Sequence, residues 1–275
     1  MKQTITAMIA ILMLGAMGIF TAKAYQNAKS YEELSQIIVN KHNVTELGTN
    51  KLKELGDLLS LGFYRGYDKV LDEQKKLIET QTFFKERAGH NTMYAMGAAA
   101  LILTLYFAMT PQAYTVAVSL AALIALAGGL LMPIMMMSIH KEVQYLGDVV
   151  LQMESKGVLG SIAKLFGSHD YVVGGALLLF SIVLPLLKTL SMLFVAVFVQ
   201  NRAAHSIVHF FKMLGKWSMA DVFVVAVFLV YLSGNKGEMS RAEVQSGLYF
   251  FLAYVILSMI ASLSADKMLR KNRQA

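Results

Sequence analysis

The sequence predicts an all-α fold: a polytopic helical membrane protein of about six spans, with a small helical exported segment between the first two. Of its 275 residues, 56% are hydrophobic and only 16% charged, and the mean hydropathy is +0.53. Six apolar stretches, 5–22, 93–110, 113–139, 171–199, 218–232 and 248–263, come close to or exceed the roughly 17 to 25 residues that cross a hydrocarbon core about 30 Å thick. The third observation is the placement of basic residues. With the amino terminus in the cytoplasm, the pieces on that side carry Lys2, Arg202, Lys212, Lys216, Lys267, Arg270, Lys271 and Arg273 against Asp266 alone. The short loops opposite, 140–170 and 234–247, hold five bases and six acids, so the chain obeys the positive-inside rule. The net charge of +7 is then largely topological and implies no nucleic-acid partner.

Each element follows in order. Residues 1–24 read either as a signal anchor or as a signal peptide, because one Lys, an apolar run and then Ala22-Lys23-Ala24 also suit cleavage before Tyr25. Residues 25–92 form the exported helical segment. Ser30 with Glu33 makes a capping box, Val70, Leu77 and Phe84 recur at heptad spacing as a packing seam, and Gly48, Gly56, Gly62 and Gly66 divide the segment into short helices. Its bases and acids nearly cancel, so charge singles out no ligand, although an exported helical surface suits a docking partner. Residues 93–112 make the second span and its turn, 113–266 hold four further spans, and 267–275 are a basic cytoplasmic tail.

Several chemistries are excluded by composition. The absence of cysteine removes disulfides, thiolate metal sites and cysteine nucleophiles. No GxxxxGK[ST] phosphate loop occurs, and no nucleophile, base and orienting group converge, so the sequence describes no enzyme and calls for no cofactor. His205 and His209 stand four apart, but with no third ligand they read as part of an amphipathic cytoplasmic loop and not as a metal site. Met135-Met136-Met137 could line a pliable acyl path, and more simply fills packing gaps.

Three strings carry a family resemblance. Gly128-Gly129-Leu130-Leu131-Met132-Pro133 ends one span, Ser181-Ile182-Val183-Leu184-Pro185-Leu186-Leu187-Lys188 lies within the next, and Lys216-Trp217-Ser218-Met219-Ala220-Asp221-Val222-Phe223 opens a third. Together they resemble the repeated four-span module of the paraquat-inducible protein A family. That resemblance implies a component of the bacterial inner membrane that serves intermembrane lipid transport with a periplasmic MCE-domain protein, phospholipid being the cargo. Family members typically carry two modules and CxxC zinc ribbons, whereas this chain has one module and no cysteine. A homo-oligomer or a second membrane subunit would complete a transporter, and the relatives' metal role has no ligands here.

The residues themselves point to a polar network. A bare charge at mid-bilayer costs about 2.5 to 3.5 kcal/mol on insertion scales, so Lys188 and Asp221 should face a protein interior or wet cavity and hold partners. Ser181 and Pro185 precede Lys188 by seven and three residues, which sets the three on one helix face. Pro185 lacks the N–H that Ser181's carbonyl would accept, so a kink is expected there. Ser218 lies one turn before Asp221 on the following span, and Trp217 is an interfacial anchor. A Lys188–Asp221 ion pair, with Ser181 and Ser218 as hydrogen-bonding neighbours, would titrate as a coupled unit and suits a proton-driven switch. The plainer reading of the same pair is a buried salt bridge that fixes helix register. Gly128 and Gly129, and likewise Gly174 and Gly175, suit close helix approach.

Three functions fit these features: a lipid-transport subunit, a non-transporting membrane anchor for a periplasmic partner, and a small-solute or ion transporter. The last lacks the internal inverted repeat expected of it. The topology is directly testable. Ser60→Cys, Ser155→Cys and Asn235→Cys should each label with an impermeant thiol reagent in intact spheroplasts and Ala204→Cys should not, whereas labelling of Ala204→Cys without Ser155→Cys would invert the arrangement.

Overall fold

A computed structural model describes residues 2–41, 66–143, 147–197 and 240–274. Helices dominate: α1 (Lys2–Lys41), α2 (Gly66–Thr104), α3 (Pro111–Leu131), α4 (Val158–Gly167), α5 (Tyr171–Leu178), α6 (Leu184–Val197) and α7 (Ser246–Gln274). A π-helical turn, Leu179–Val183, joins α5 to α6, so that 171–197 is one long helix. Three strands, β1 (Met135–Val143), β2 (Gly147–Lys156) and β3 (Ser240–Val244), complete the described fold. Four described helices are long and apolar enough to cross a membrane: Gln3–Ile38, Pro111–Leu131, Tyr171–Val197 and Ser246–Leu269. The chain is a multi-pass helical membrane protein. The span expected at 218–232 lies outside the described residues.

The segment expected to be exported differs from its expected form. It is not a set of short helices where it is described; residues 25–41 and 66–92 continue the two helices that flank it. With 40 residues, α1 is about 60 Å long, twice the hydrocarbon core. Ser30 therefore sits in mid-helix and caps nothing, while its neighbour Lys29 pairs with Glu33 one turn on, at 3.9 Å. Burial explains the continuity. Met17, Thr21, Ala24, Ala28, Tyr31 and Ser35 are buried at alternating steps of four and three, which is a coiled-coil period running across the boundary expected between span and exported segment. On α2 the half-buried Leu77 and Phe84 are followed on the same side of the helix by buried Ala88, Thr92, Ala95 and Ile102. The two helices run antiparallel, since Phe20 stacks near Tyr94 at 5.2 Å while Gln81 donates to Ser35 at 2.7 Å. Alanine at the seam lets the backbones approach closely, and so makes one rigid pair out of what composition divides into membrane and exported parts. The segment expected as the second span is the last part of α2, closed by a 3-10 turn at Leu105–Phe107.

The third expected span also changes. It ends at Leu131, not at residue 139, because Pro133 follows. A residue before proline is driven out of the α region, and Met132 is extended at φ −88 and ψ 153. The chain then enters an antiparallel sheet of order β2-β1-β3, an addition to an otherwise all-α architecture. Met135 opposes Lys156 on one side and Val244 on the other. Met135 and Met136 are buried in β1, so these methionines pack and do not line a path within α3.

Glycines bring α7 against α3. A Cβ at Gly128 would lie 2.8 Å from the Phe250 ring, and one at Gly129 would lie 2.9 Å from the Phe251 backbone. Gly174 similarly admits Leu165, whereas Gly175 faces open space and makes no close approach. At the start of α7, Gly247 donates to the Pro133 carbonyl at 2.9 Å, and a Cβ there would meet the Met132 carbonyl oxygen at 2.5 Å. Gly128, Gly129 and Pro133 thus seat α7 on α3. Gly247→Ala should lower stability by about 1–3 kcal/mol, as overpacking does. Gly97→Ala, where nothing lies within 4 Å, should leave stability unchanged or raise it; thermal midpoints of both variants in one detergent check this.

Candidate polar seam between the spans

Ser181, Pro185 and Lys188 share one face of the 171–197 helix. Ser181 is 3% exposed, Pro185 is buried, Lys188 is half-buried, and the same face continues through buried Thr189, Met192 and Val195. The disturbance expected at Pro185 takes the form of the π turn just before it, in which the Leu184 N–H reaches the Leu179 carbonyl. Such widened turns inside a helix often coincide with functional positions.

Two partners on this face were not foreseen from the sequence. Tyr254 of α7, fully buried, donates its hydroxyl to the Pro185 carbonyl at 3.0 Å. Thr189 Oγ1 lies 2.9 Å from the same carbonyl and 3.4 Å from the Tyr254 oxygen. A tyrosine at mid-span and a hydroxyl residue next to Lys188 were the available signals, but nothing local pairs residues 65 positions apart. Towards the Pro111 end of α3, Thr115 and Ser264 share a hydrogen bond at 2.7 Å, and Gln112 donates to the Ala196 carbonyl at 3.0 Å. Ser119 Oγ is buried without a hydrogen-bond partner among the described residues. A file of hydroxyls therefore follows the junction of α3, α6 and α7.

Depth sets Lys188 level with that file. The Gln112–Ala196 contact sets the end of α6 level with the start of α3. Lys188 lies eight residues before Ala196, about 12 Å further in along a helix whose neighbour α3 is about 31 Å long. Ser218, Asp221 and Trp217 lie outside the described residues, as do His205 and His209, so the Lys188–Asp221 pair stands as an expectation. Among the described residues no three His, Cys, Asp or Glu side chains gather as a metal site.

A second polar cluster ties the helical pair to the sheet. Lys85 of α2 bonds Glu243 of β3 and lies over the Tyr31 ring of α1 at 5.9 Å. Partial burial, the largest single influence on the Lys85 ammonium, pulls its pKa down. The hydrogen bond and charge of Glu243, with Tyr31, outweigh that and leave it raised above the ordinary 10.5.

Long apolar helices, a hydroxyl-lined junction with one lysine at depth, and a small sheet closing one end define a multi-pass membrane protein built around an intramembrane polar seam. The sequence profile of the family described as paraquat-inducible protein A matches residues 112–270. The chain belongs to that family. It is 30% identical over 123 residues to the intermembrane transport protein PqiA of Escherichia coli (strain K12), covering 42% of this chain and 29% of that one. The PqiA protein of Shigella flexneri is similar to the same extent, with the same coverage. A probable intermembrane transport protein of Haemophilus influenzae is 27% identical over 118 residues, covering 41% of this chain and 28% of that protein. The matched part of this chain spans under a third of the length of these relatives. No solved structure matches.

Tyr254→Phe removes one intramembrane hydrogen bond and should cost about 0.6 to 1.7 kcal/mol. Adding Thr189→Val should cost less than the sum of the two single changes if the three groups act as one network, because either change alone already breaks it; a double-mutant cycle on thermal unfolding measures this.

Proposed function

We propose that this protein is the inner-membrane subunit of an intermembrane phospholipid transport system that works with a periplasmic MCE-domain protein. Membership of the paraquat-inducible protein A family supports the class, and the names of the relatives supply the transport activity. The observation that carries the mechanism is the half-buried Lys188 about 12 Å inside the helix bundle, on the same face as Ser181, Pro185 and Thr189. A lysine held at that depth needs a counter-charge, and Asp221 opens the segment that follows. In this reading Lys188 and Asp221 share a proton-linked equilibrium, with Ser181 and Ser218 hydrogen-bonding to whichever form is charged. Proton transfer then changes the cost of keeping the pair dry, and the π turn beside Pro185 provides a point at which the helix can respond. Phospholipid would be exchanged at the outer face, both termini lying in the cytoplasm. The exported portions of α1 and α2 present a rigid surface for the partner, and a second copy or second membrane subunit completes the assembly.

Lys188→Ala and Asp221→Ala should each abolish transport-dependent envelope integrity while the protein still inserts, with some loss of stability from the uncompensated charge. The double variant Lys188→Met, Asp221→Leu separates mechanism from scaffold, because apolar replacement of both partners can preserve the fold. Loss of envelope integrity with normal expression supports the proton-linked reading. Full complementation would leave the pair structural and make the protein a membrane anchor for its partner.

A further inference from the structure

We infer that α4 is an interfacial helix lying in the phospholipid leaflet on the sheet side of the membrane, with Leu159, Ala163 and Phe166 inserted at the boundary of headgroups and acyl chains. Both its ends are pinned to the ends of membrane-spanning helices on the same face. At its start, a Cβ on Gly157 would lie 3.4 Å from the carbonyl oxygen of Met132, the residue whose N–H caps α3 by donating to the Gly128 carbonyl. At its finish, three residues separate Gly167 from Tyr171, the first residue of the next span. A helix of 10 residues, about 15 Å long, held in this way must run along the membrane surface.

The turn that redirects the chain is built in. His169 takes a positive φ of 64, the His169 N–H donates to the Phe166 carbonyl at 3.2 Å and that of Asp170 to the Leu165 carbonyl at 3.0 Å. His169 Nδ1 lies 2.8 Å from the Tyr171 hydroxyl. These bonds close off the end of α4 and aim the chain into the bilayer.

The faces of α4 sort by destination. Val158 and Ile162 are buried against Ile134. Leu159, Ala163 and Phe166, at i, i+4 and i+7, form a separate stripe that is at least a third exposed at Leu159 and Phe166, one edge of the Phe166 ring resting on Gly174. Gly160 and Lys164 lie on the remaining polar side. The occupant of the exposed stripe follows from its continuity with the span. The Phe166 ring is 6.1 Å from that of Tyr171, and Val172 is 86% exposed at the head of a helix that crosses the membrane. An amphipathic helix of this kind buries its apolar face roughly 5–10 Å into the headgroup and acyl boundary, where Lys164 can meet lipid phosphate.

Since the chain has no native cysteine, single-cysteine labelling tests this in the full protein. Leu159→Cys, Ala163→Cys, Phe166→Cys, Gly160→Cys and, on α2, Glu79→Cys would each carry an environment-sensitive nitrobenzoxadiazole probe in phosphatidylethanolamine and phosphatidylglycerol vesicles. Brominated acyl chains should quench positions 159, 163 and 166 at least threefold more than 79, with 160 in between. Three positions along the stripe keep the result readable if one variant fails to fold. Quenching at 159, 163 and 166 no greater than at 79 would overturn the inference. So would a blue-shifted, unquenched probe on the stripe, which would place protein there in place of lipid, and so would quenching at 160 equal to that at 159, which would mean full immersion.

Discussion

Residues Met132, Pro133 and Ile134 form the junction on which the described fold depends. Where a helix ends at the edge of a membrane, its last carbonyls have no partner within the helix, and water is scarce. The backbone groups just past the end of α3 face the same shortage, and there tertiary structure supplies the bonds. The Pro133 carbonyl accepts from Gly247, the Ile134 carbonyl accepts from Gln245, and the Ile134 N–H donates to the Lys156 carbonyl. One short segment thus joins the end of α3 to the start of α7 and to both flanking strands. The glycine requirement at 247 follows, since any side chain there would enter the space these carbonyls occupy.

From that junction the polar seam inherits its alignment. With α7 seated by Gly128 and Gly129 against Phe250 and Phe251, Tyr254 falls one turn further along α7 and meets Pro185, while Ser264 meets Thr115 near the other end of α3. Among its described residues the seam is charged only at Lys188, and the hydroxyls of Thr115, Thr189 and Tyr254 are already committed to backbone carbonyls. A lysine set into such a file has neighbours that can accommodate a change of protonation without dismantling the packing around them. That is why the proposed mechanism centres on Lys188 and not on the half-exposed Lys85–Glu243 contact, whose role is to hold the helical pair against the sheet.

The helical pair shows how an expected span and a segment expected to be exported can be one object. The seam of α1 runs from Met17 to Ser35 without a break in period, although the hydropathy changes between Phe20 and Lys29. Hydropathy reports the solvent outside the pair, whereas the seam reports the partner inside it. The two signals are independent, so a boundary drawn from the first says nothing of the second.

The sequence by itself determined what rests on composition and short spacing: the membrane class, the helical stretches, the face shared by Ser181, Pro185 and Lys188, the glycine pair at 128 and 129 and the family. The end of α3 at Leu131 was also legible, since Pro133 was in view, but the apolar run beyond it outweighed that signal in a reading based on hydropathy. Only the tertiary structure decided that Met135 to Val143 would be a strand in a three-stranded sheet, because its partner Val244 lies far away in the chain and alternation within three methionines carries no pattern. It alone decided that Ser30 would lie within a helix, because the buried alanines of α2 stabilise α1 across the point where local capping suggested a start. Tyr254 and Thr189 joined the seam for the same reason: a hydroxyl's partner is set by where two distant helices meet, which no local spacing in either helix encodes.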